Sequence, residues 1–233
     1  MALPIIDVPT FKMKIESLGK DYKFRPFLVK EEKLLVMASE SSDKDDMLHA
    51  AQQVISNCSF GKVNGEKLPM FEVQKVFLTL RSQSVGNIIE MRAKCGECES
   101  SNEVLLDIDE IEIIRDKTHS NRIQLNSDIV IEMTYPSVEE VAALARAEED
   151  IDIYIVAANS IDKLYTSEET IDFQSSPPDE RIDWIENLSP EQFGKIKNFF
   201  ETMPQLYHTI DFNCKQCGKD NYLVIDGYEN FFV

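Results

Sequence analysis

Two Cys-x-x-Cys pairs, Cys95/Cys98 and Cys214/Cys217, constrain this chain more than any other feature of it. Each pair stands between two alternating runs: Ile88–Lys94 and Asn102–Ile108 around the first, Tyr207–Asn213 and Asn221–Asp226 around the second. Period-two alternation bracketing a short polar turn predicts a β-hairpin. Thiolates separated by two residues around such a turn face the same point, and a tetrahedral structural metal takes four ligands. One knuckle supplies only two. The two hairpins are therefore expected to meet and share one structural zinc ion, held by Cys95, Cys98, Cys214 and Cys217.

Other uses of the pairs stay open. Thioredoxin-like redox chemistry places Cys-x-x-Cys at the start of a helix, whereas both pairs here lie between strands. Knuckles that keep their turns without a metal are a third reading. His119 and His208, close to the knuckles in sequence, are either substitute ligands or surface residues, and Cys58 reads as a small core residue. A catalytic zinc keeps one position open for water, which four thiolates would fill. No Gly-rich phosphate loop, GxSxG elbow or HExxH occurs. The expectation is a protein without catalytic or cofactor-binding residues and without a small-molecule substrate.

The same order of elements runs through the chain twice. Hairpins are predicted at Phe11–Glu16 with Tyr22–Phe24, and at Arg122–Leu125 with Ile129–Thr134, each ending at a proline, Pro26 or Pro136. A helix with paired acids in its first turn follows, at Val29-Lys30-Glu31-Glu32 and at Val138-Glu139-Glu140-Val141, the latter with a stripe of Val138, Val141, Ala142 and Ala145. Second helices are expected over Asp45–Ser56 and Asp152–Lys163. Third helices run from Pro69 to about Ser82 (stripe Met70, Val73, Phe77, Leu80) and from Pro190 to about Thr202 (stripe Phe193, Ile196, Phe200, Met203). Ser189, Pro190 and Gln192 spell a capping box. The cysteine hairpins close each copy, and Asn102 and Asn221 fall at the same step after the second cysteine. The fold class is α+β, a tandem pseudo-repeat with halves 1–118 and 119–233 that meet near Lys117–Asn121. The polar stretch Thr166–Arg181 reads as a long loop.

Charge narrows the partners. With 42 acidic against 24 basic residues and a net charge of −18, the chain would repel nucleic-acid phosphates and anionic membrane surfaces. No apolar run approaches the roughly 20 residues needed to span a bilayer. The start, MALPIIDVPTF, lacks the basic end and apolar core of a signal peptide, so the cytoplasm is the expected compartment. That stretch reads as an extended arm. The aromatic ending from Gly227 to Val233 reads as core packed back on the second knuckle hairpin, with a docking tail as the sharper alternative.

The run Tyr22-Lys23-Phe24-Arg25-Pro26-Phe27-Leu28-Val29-Lys30-Glu31-Glu32-Lys33-Leu34-Leu35, with the MALP start, Cys58-Ser59-Phe60-Gly61 and Leu80-Arg81-Ser82-Gln83-Ser84-Val85-Gly86, resembles baseplate proteins of T-even-like contractile-tailed phages. These are baseplate hub subunits or hub assembly proteins. The resemblance implies a virion-assembly role in the host cytoplasm or a place in the virion tail baseplate, with other phage tail or baseplate hub proteins as partners. It supplies no catalytic residues. The competing function is a small zinc-ribbon adaptor that modulates transcription; acidity and the repeat favour the baseplate reading.

Overall fold

The computed structural model describes residues 6–41, 44–140 and 152–226. Phe11–Ile15 (β1) and Lys20–Phe24 (β2) form the first hairpin, with Phe11 paired to Phe24 and their rings stacked at 6.1 Å. Arg25, the next residue, reaches into the first turn of helix Val29–Ser39 (α1), where its Nη2 stands 3.0 Å from Glu31 Oε1 and its Nη1 donates to Glu31 Oε2 at 3.2 Å. Glu31 Oε2 also accepts the Leu28 N–H at 2.9 Å, satisfying one of the free donors at a helix start. The first-turn acids thus do different work: Glu32 is exposed, whereas Glu31 is only 1% exposed and pins the helix to the hairpin.

Lys44–Cys58 (α2) packs on Met70–Val85 (α3). From α2 come Leu48, Ala51, Ile55 and Cys58, one stripe at helical spacing, all buried. Cys58 is fully buried, as expected, and burial pushes its thiol up to about 11. The stripe expected on α3 is only part of its buried surface: Val76 and Leu78 are buried too, so α3 is covered on more than one face. Glu72, among them, accepts the Ser17 N–H at 2.9 Å and the Ser17 hydroxyl. Residue 65 lies against α2 so closely that a Cβ there would stand 2.4 Å from Gln52 O, which only glycine avoids.

Two hairpins follow the plan read from the sequence: Ile88–Lys94 (β3) with Ser101–Asp107 (β4), and, much later, Gln205–Asn213 (β10) with Asp220–Asp226 (β11). A third strand, Glu112–Ile114 (β5), pairs antiparallel with the start of β10 and was not foreseen. Leu78, Ile89, Leu106, Ile108, Leu206 and Ile225 form the core that these hairpins share with α3. By compactness, Met1–Glu66, Met70–Ile114 and Gln205–Val233 make one unit, and Lys67–Pro69 with Arg115–Pro204 make another. The halves expected from the order of elements and the units defined by packing are different divisions. β10 and β11 belong to the second half by order and to the first unit by packing.

In the second unit, Arg122–Gln124 (β6), Val130–Met133 (β7), Ile161–Tyr165 (β8) and Thr170–Asp172 (β9) form an antiparallel sheet in the order β6-β7-β8-β9. The β6–β7 hairpin is the expected one. Helix Asp152–Ser160 (α4) stops three residues short of expectation, because Ile161 already pairs with Met133. A register shift in this pairing leaves Asp162 without an opposite residue, so Ile161 and Leu164 are both buried three apart. Ser137 and Glu140 form a capping box before helical residues 138–140, but the expected stripe of Val141, Ala142 and Ala145 lies outside the described residues.

The stretch Thr166–Arg181 is not a long loop. It holds β9, a 3-10 turn at Phe173–Ser175 and the start of helix Pro178–Glu186 (α5). Phe173 is buried edge-on to Trp184, and Gln174 Nε2 donates to Ala158 O and Asn159 O, closing the carbonyl end of α4. Helix Pro190–Glu201 (α6) carries the expected capping box, with Ser189 Oγ accepting from Gln192 N and Gln192 Oε1 accepting from Ser189 N. It buries Ile196, which was in the expected stripe, and Phe199, which was not. Gly227–Val233 and Met1–Ile5 lie outside the described residues, and among those described no helix is long and apolar enough to cross a membrane.

Candidate metal centre

The turn between β3 and β4 is Cys95–Ser100, and the turn between β10 and β11 is Cys214–Lys219; both lie in the first unit. They are built alike. Cys95 N donates to Ser100 O at 2.9 Å and Glu99 N to Cys95 O at 3.0 Å; Cys214 N donates to Lys219 O and Gly218 N to Cys214 O, both at 2.9 Å. The residue after the second cysteine is left-handed in each, Glu99 at φ 57° and Gly218 at φ 70°. Glycine adopts that conformation freely, whereas for Glu99 it costs about 1–2 kcal/mol. The place after the first cysteine does not require glycine: it is Gly96 in one turn and Lys215 in the other.

All four sulfurs lie within 4.8 Å of one another. Cys95 Sγ is 3.7 Å from Cys217 Sγ, and Cys98 Sγ is 3.6 Å from Cys214 Sγ. The first cysteine of each pair is buried, Cys95 at 1% and Cys214 at 3% exposure, and the second lies toward solvent. Such a donor set is all protein and all soft, so it could hold one four-coordinate metal with no position left for a substrate.

Two asparagines cross from knuckle to knuckle. Asn102 Oδ1 accepts the Lys215 N–H at 2.9 Å, and its Nδ2 lies 3.7 Å from Cys214 Sγ. Asn221 Oδ1 accepts the Gly96 N–H at 3.0 Å, and its Nδ2 lies 3.5 Å from Cys95 Sγ. The arrangement is a local pseudo-twofold in which each asparagine fixes the other knuckle's first cysteine. Ser100 breaks the symmetry, its Oγ standing 3.1 Å from Cys98 Sγ and 3.0 Å from Cys214 Sγ where the second knuckle has Lys219. Lys215 and Glu103 add an exposed ion pair at 3.4 Å, worth little in water.

The electrostatics follow from these donors. Backbone N–H groups of Cys98 and Glu97 hold the Cys95 thiol below its ordinary value. The Ser100 hydroxyl and the Cys217 N–H bring Cys214 down to about 5. Cys217 also receives an N–H, from Lys219, but desolvation and the neighbouring Cys214, Cys98 and Cys95 push it up to about 12. Four thiolates cannot gather around an empty centre. A cation held among them would reverse that balance and deprotonate the set.

The structure thus brings together all four cysteines singled out in the sequence. His119 is not with them: in the second unit it stacks on Tyr135 and lies tilted against Phe199, with Nδ1 2.9 Å from Thr202 Oγ1 and Nε2 3.0 Å from Tyr135 Oη. His208 sits in β10 opposite Ile225 and is not among the clustered ligands. The asparagines were visible as a matching step in the sequence, but their reach across the site was not, and Ser100 carried no signal.

No curated protein matches the chain, and no solved structure does. The family model described as T4 bacteriophage base plate protein matches residues 8–233, a span that includes both hairpins and every residue of the sulfur cluster. The chain belongs to the T4 bacteriophage base plate protein family.

Proposed function

We propose that this chain is a non-enzymatic structural or assembly subunit of a contractile phage tail baseplate hub, in which one structural zinc ion fastens β10–β11 to β3–β4. Family membership over nearly the whole chain supports the baseplate role, a place of work in the virion tail and other baseplate proteins as partners. A surplus of acids fits protein partners better than DNA. The order of elements, the matched turns and the exchanged asparagines support reading 1–118 and 119–233 as two copies of one unit.

The observation that carries the zinc is the size of the sulfur cage. A Zn–S bond of about 2.3 Å puts tetrahedral S–S edges at about 3.8 Å, and the two knuckle-to-knuckle contacts are 3.7 and 3.6 Å. Elemental analysis of the purified chain, with a visible absorption spectrum, tests it. One zinc per chain and no colour is the expected result. No metal, one ion per knuckle, or the colour of an iron–sulfur site sinks it. Mass spectrometry of purified particles and retention of labelled duplex DNA at low salt test the rest: presence at the baseplate without DNA retention is expected, and retention supports the transcription adaptor instead.

A further inference from the structure

The two close sulfur contacts, Cys95 with Cys217 and Cys98 with Cys214, both run from one knuckle to the other. They are mates under the local pseudo-twofold, which explains their near-equal lengths. The approach of the knuckles does not depend on a metal alone. Asn102 on Lys215 N and Asn221 on Gly96 N hold the turns together through their own hydrogen bonds.

We infer that when the metal leaves under oxidising conditions, the four cysteines form two knuckle-to-knuckle disulfides, Cys95–Cys217 and Cys98–Cys214, so that the fastener becomes covalent without the hairpins separating. This deepens the reading of the site as a fastener and rests on it. A disulfide closes at about 2.05 Å, so each pair must approach by roughly 1.6 Å, a movement we assign to rotation about the Cα–Cβ bonds. The chemistry balances with a peroxide as oxidant. One thiolate attacks a peroxide oxygen, the S–O bond forms as O–O breaks, and the leaving hydroxide takes a proton to become water. The facing thiol then attacks the sulfenic sulfur, the S–S bond forms and a second water leaves. Two thiols are oxidised for each peroxide reduced. A baseplate assembled in a reducing cytoplasm is later carried outside the cell, where thiols oxidise and disulfides persist.

The test uses the full chain, reduced and purified, with its metal content measured first. After a strong chelator, hydrogen peroxide is added at two equivalents, and the product is digested without reductant and mapped by mass spectrometry. The expected result is the peptide pairs Cys95–Cys217 and Cys98–Cys214, with free thiols in denaturant falling from five to the single Cys58. Pairs within each knuckle, Cys95–Cys98 and Cys214–Cys217, or sulfinic and sulfonic acids in place of disulfides, overturn it. The double variant Cys98→Ser/Cys214→Ser should still form the Cys95–Cys217 link, and failure of that link counts against the inference even if the wild-type map is mixed. Absence of metal at the first measurement sinks the zinc reading but leaves the disulfide map to be read independently.

Discussion

Asn102 and Asn221 are exchanged across the four-cysteine cluster: each stands on one knuckle and hydrogen-bonds the backbone N–H that follows the first cysteine of the other. Groups that orient ligands in this way typically account for a 10–100-fold difference in metal affinity. Asn102→Ala and Asn221→Ala should each weaken zinc binding by about that factor, with similar losses because their settings match. Competition against a chromophoric chelator measures it, and an unchanged affinity in both variants would show that the bonds are incidental.

Losing the metal should act on the hairpins before the helices. Chelation, or Cys98→Ser, is expected to raise hydrogen exchange in β10, β11 and the β3–β4 turn while α2 and α3 keep their protection. Uniform loss of protection across the chain would mean that the centre supports the whole fold and not the join between hairpins.

The buried pair Arg25–Glu31 gives a second, independent point of failure. Glu31→Ala leaves a guanidinium buried beside Cys58, and breaking a buried pair from one side costs about 3–5 kcal/mol. Burial opposes the charge on Glu31, but hydrogen bonds from Arg25 and the Leu28 N–H outweigh it and hold the carboxyl below its usual 4.5. For a depressed acid, the stabilisation is present above the unfolded-state value and is lost as pH falls through the folded one. Urea melts of wild type and Glu31→Gln across pH 3 to 7 should converge at the acid end.

Gly65→Ala should destabilise the first unit, since its new methyl would overlap Gln52 O on α2. Overpacking of this kind typically costs about 1–3 kcal/mol. Thermal or urea denaturation decides it; a variant as stable as wild type would mean that the turn at residue 65 shifts away freely.

His119 should make the second unit acid-sensitive. Burial, opposed by Asp116, keeps its ring neutral below the ordinary 6.5. A folded state that resists a proton loses ground to an unfolded state that accepts it, so stability is full above about pH 6.5 and falls below it. His119→Gln should flatten that dependence; the same slope in both proteins would place the sensitive group elsewhere.

Much of this was legible in the residues because the deciding signals are local. The capping box at Ser189 and Gln192, the alternation in β1–β2 and β6–β7, and the two cysteine spacings each act within a few positions, and each is found in the structure. What escaped was set by distant partners. β5 is a strand because the start of β10 lies beside it, and Glu112-Ile113-Ile114 alone is too short to announce that. The expected helix takes in the first three residues of β8, whose strand character comes from pairing with β7 across a bulge at Asp162. The polar run from Thr166 conceals Phe173, whose burial depends on Trp184. At the metal centre the ligands could be read one knuckle at a time, whereas the asparagines matter only through their approach to the other knuckle.

The first unit draws its residues from both sides of an intervening segment, and that imposes a schedule on synthesis. Cys95 and Cys98 emerge from the ribosome 122 and 116 residues before the sulfurs they face. At about 5–20 residues per second, roughly 6–25 s pass with only half a cage present. Arg115–Pro204 leaves the ribosome during that interval, while the first unit waits for its last two strands. Two cysteines cannot hold an ion as four can, so under the proposed zinc reading capture of the metal would be a checkpoint that a nascent chain clears only after Cys217 has been made.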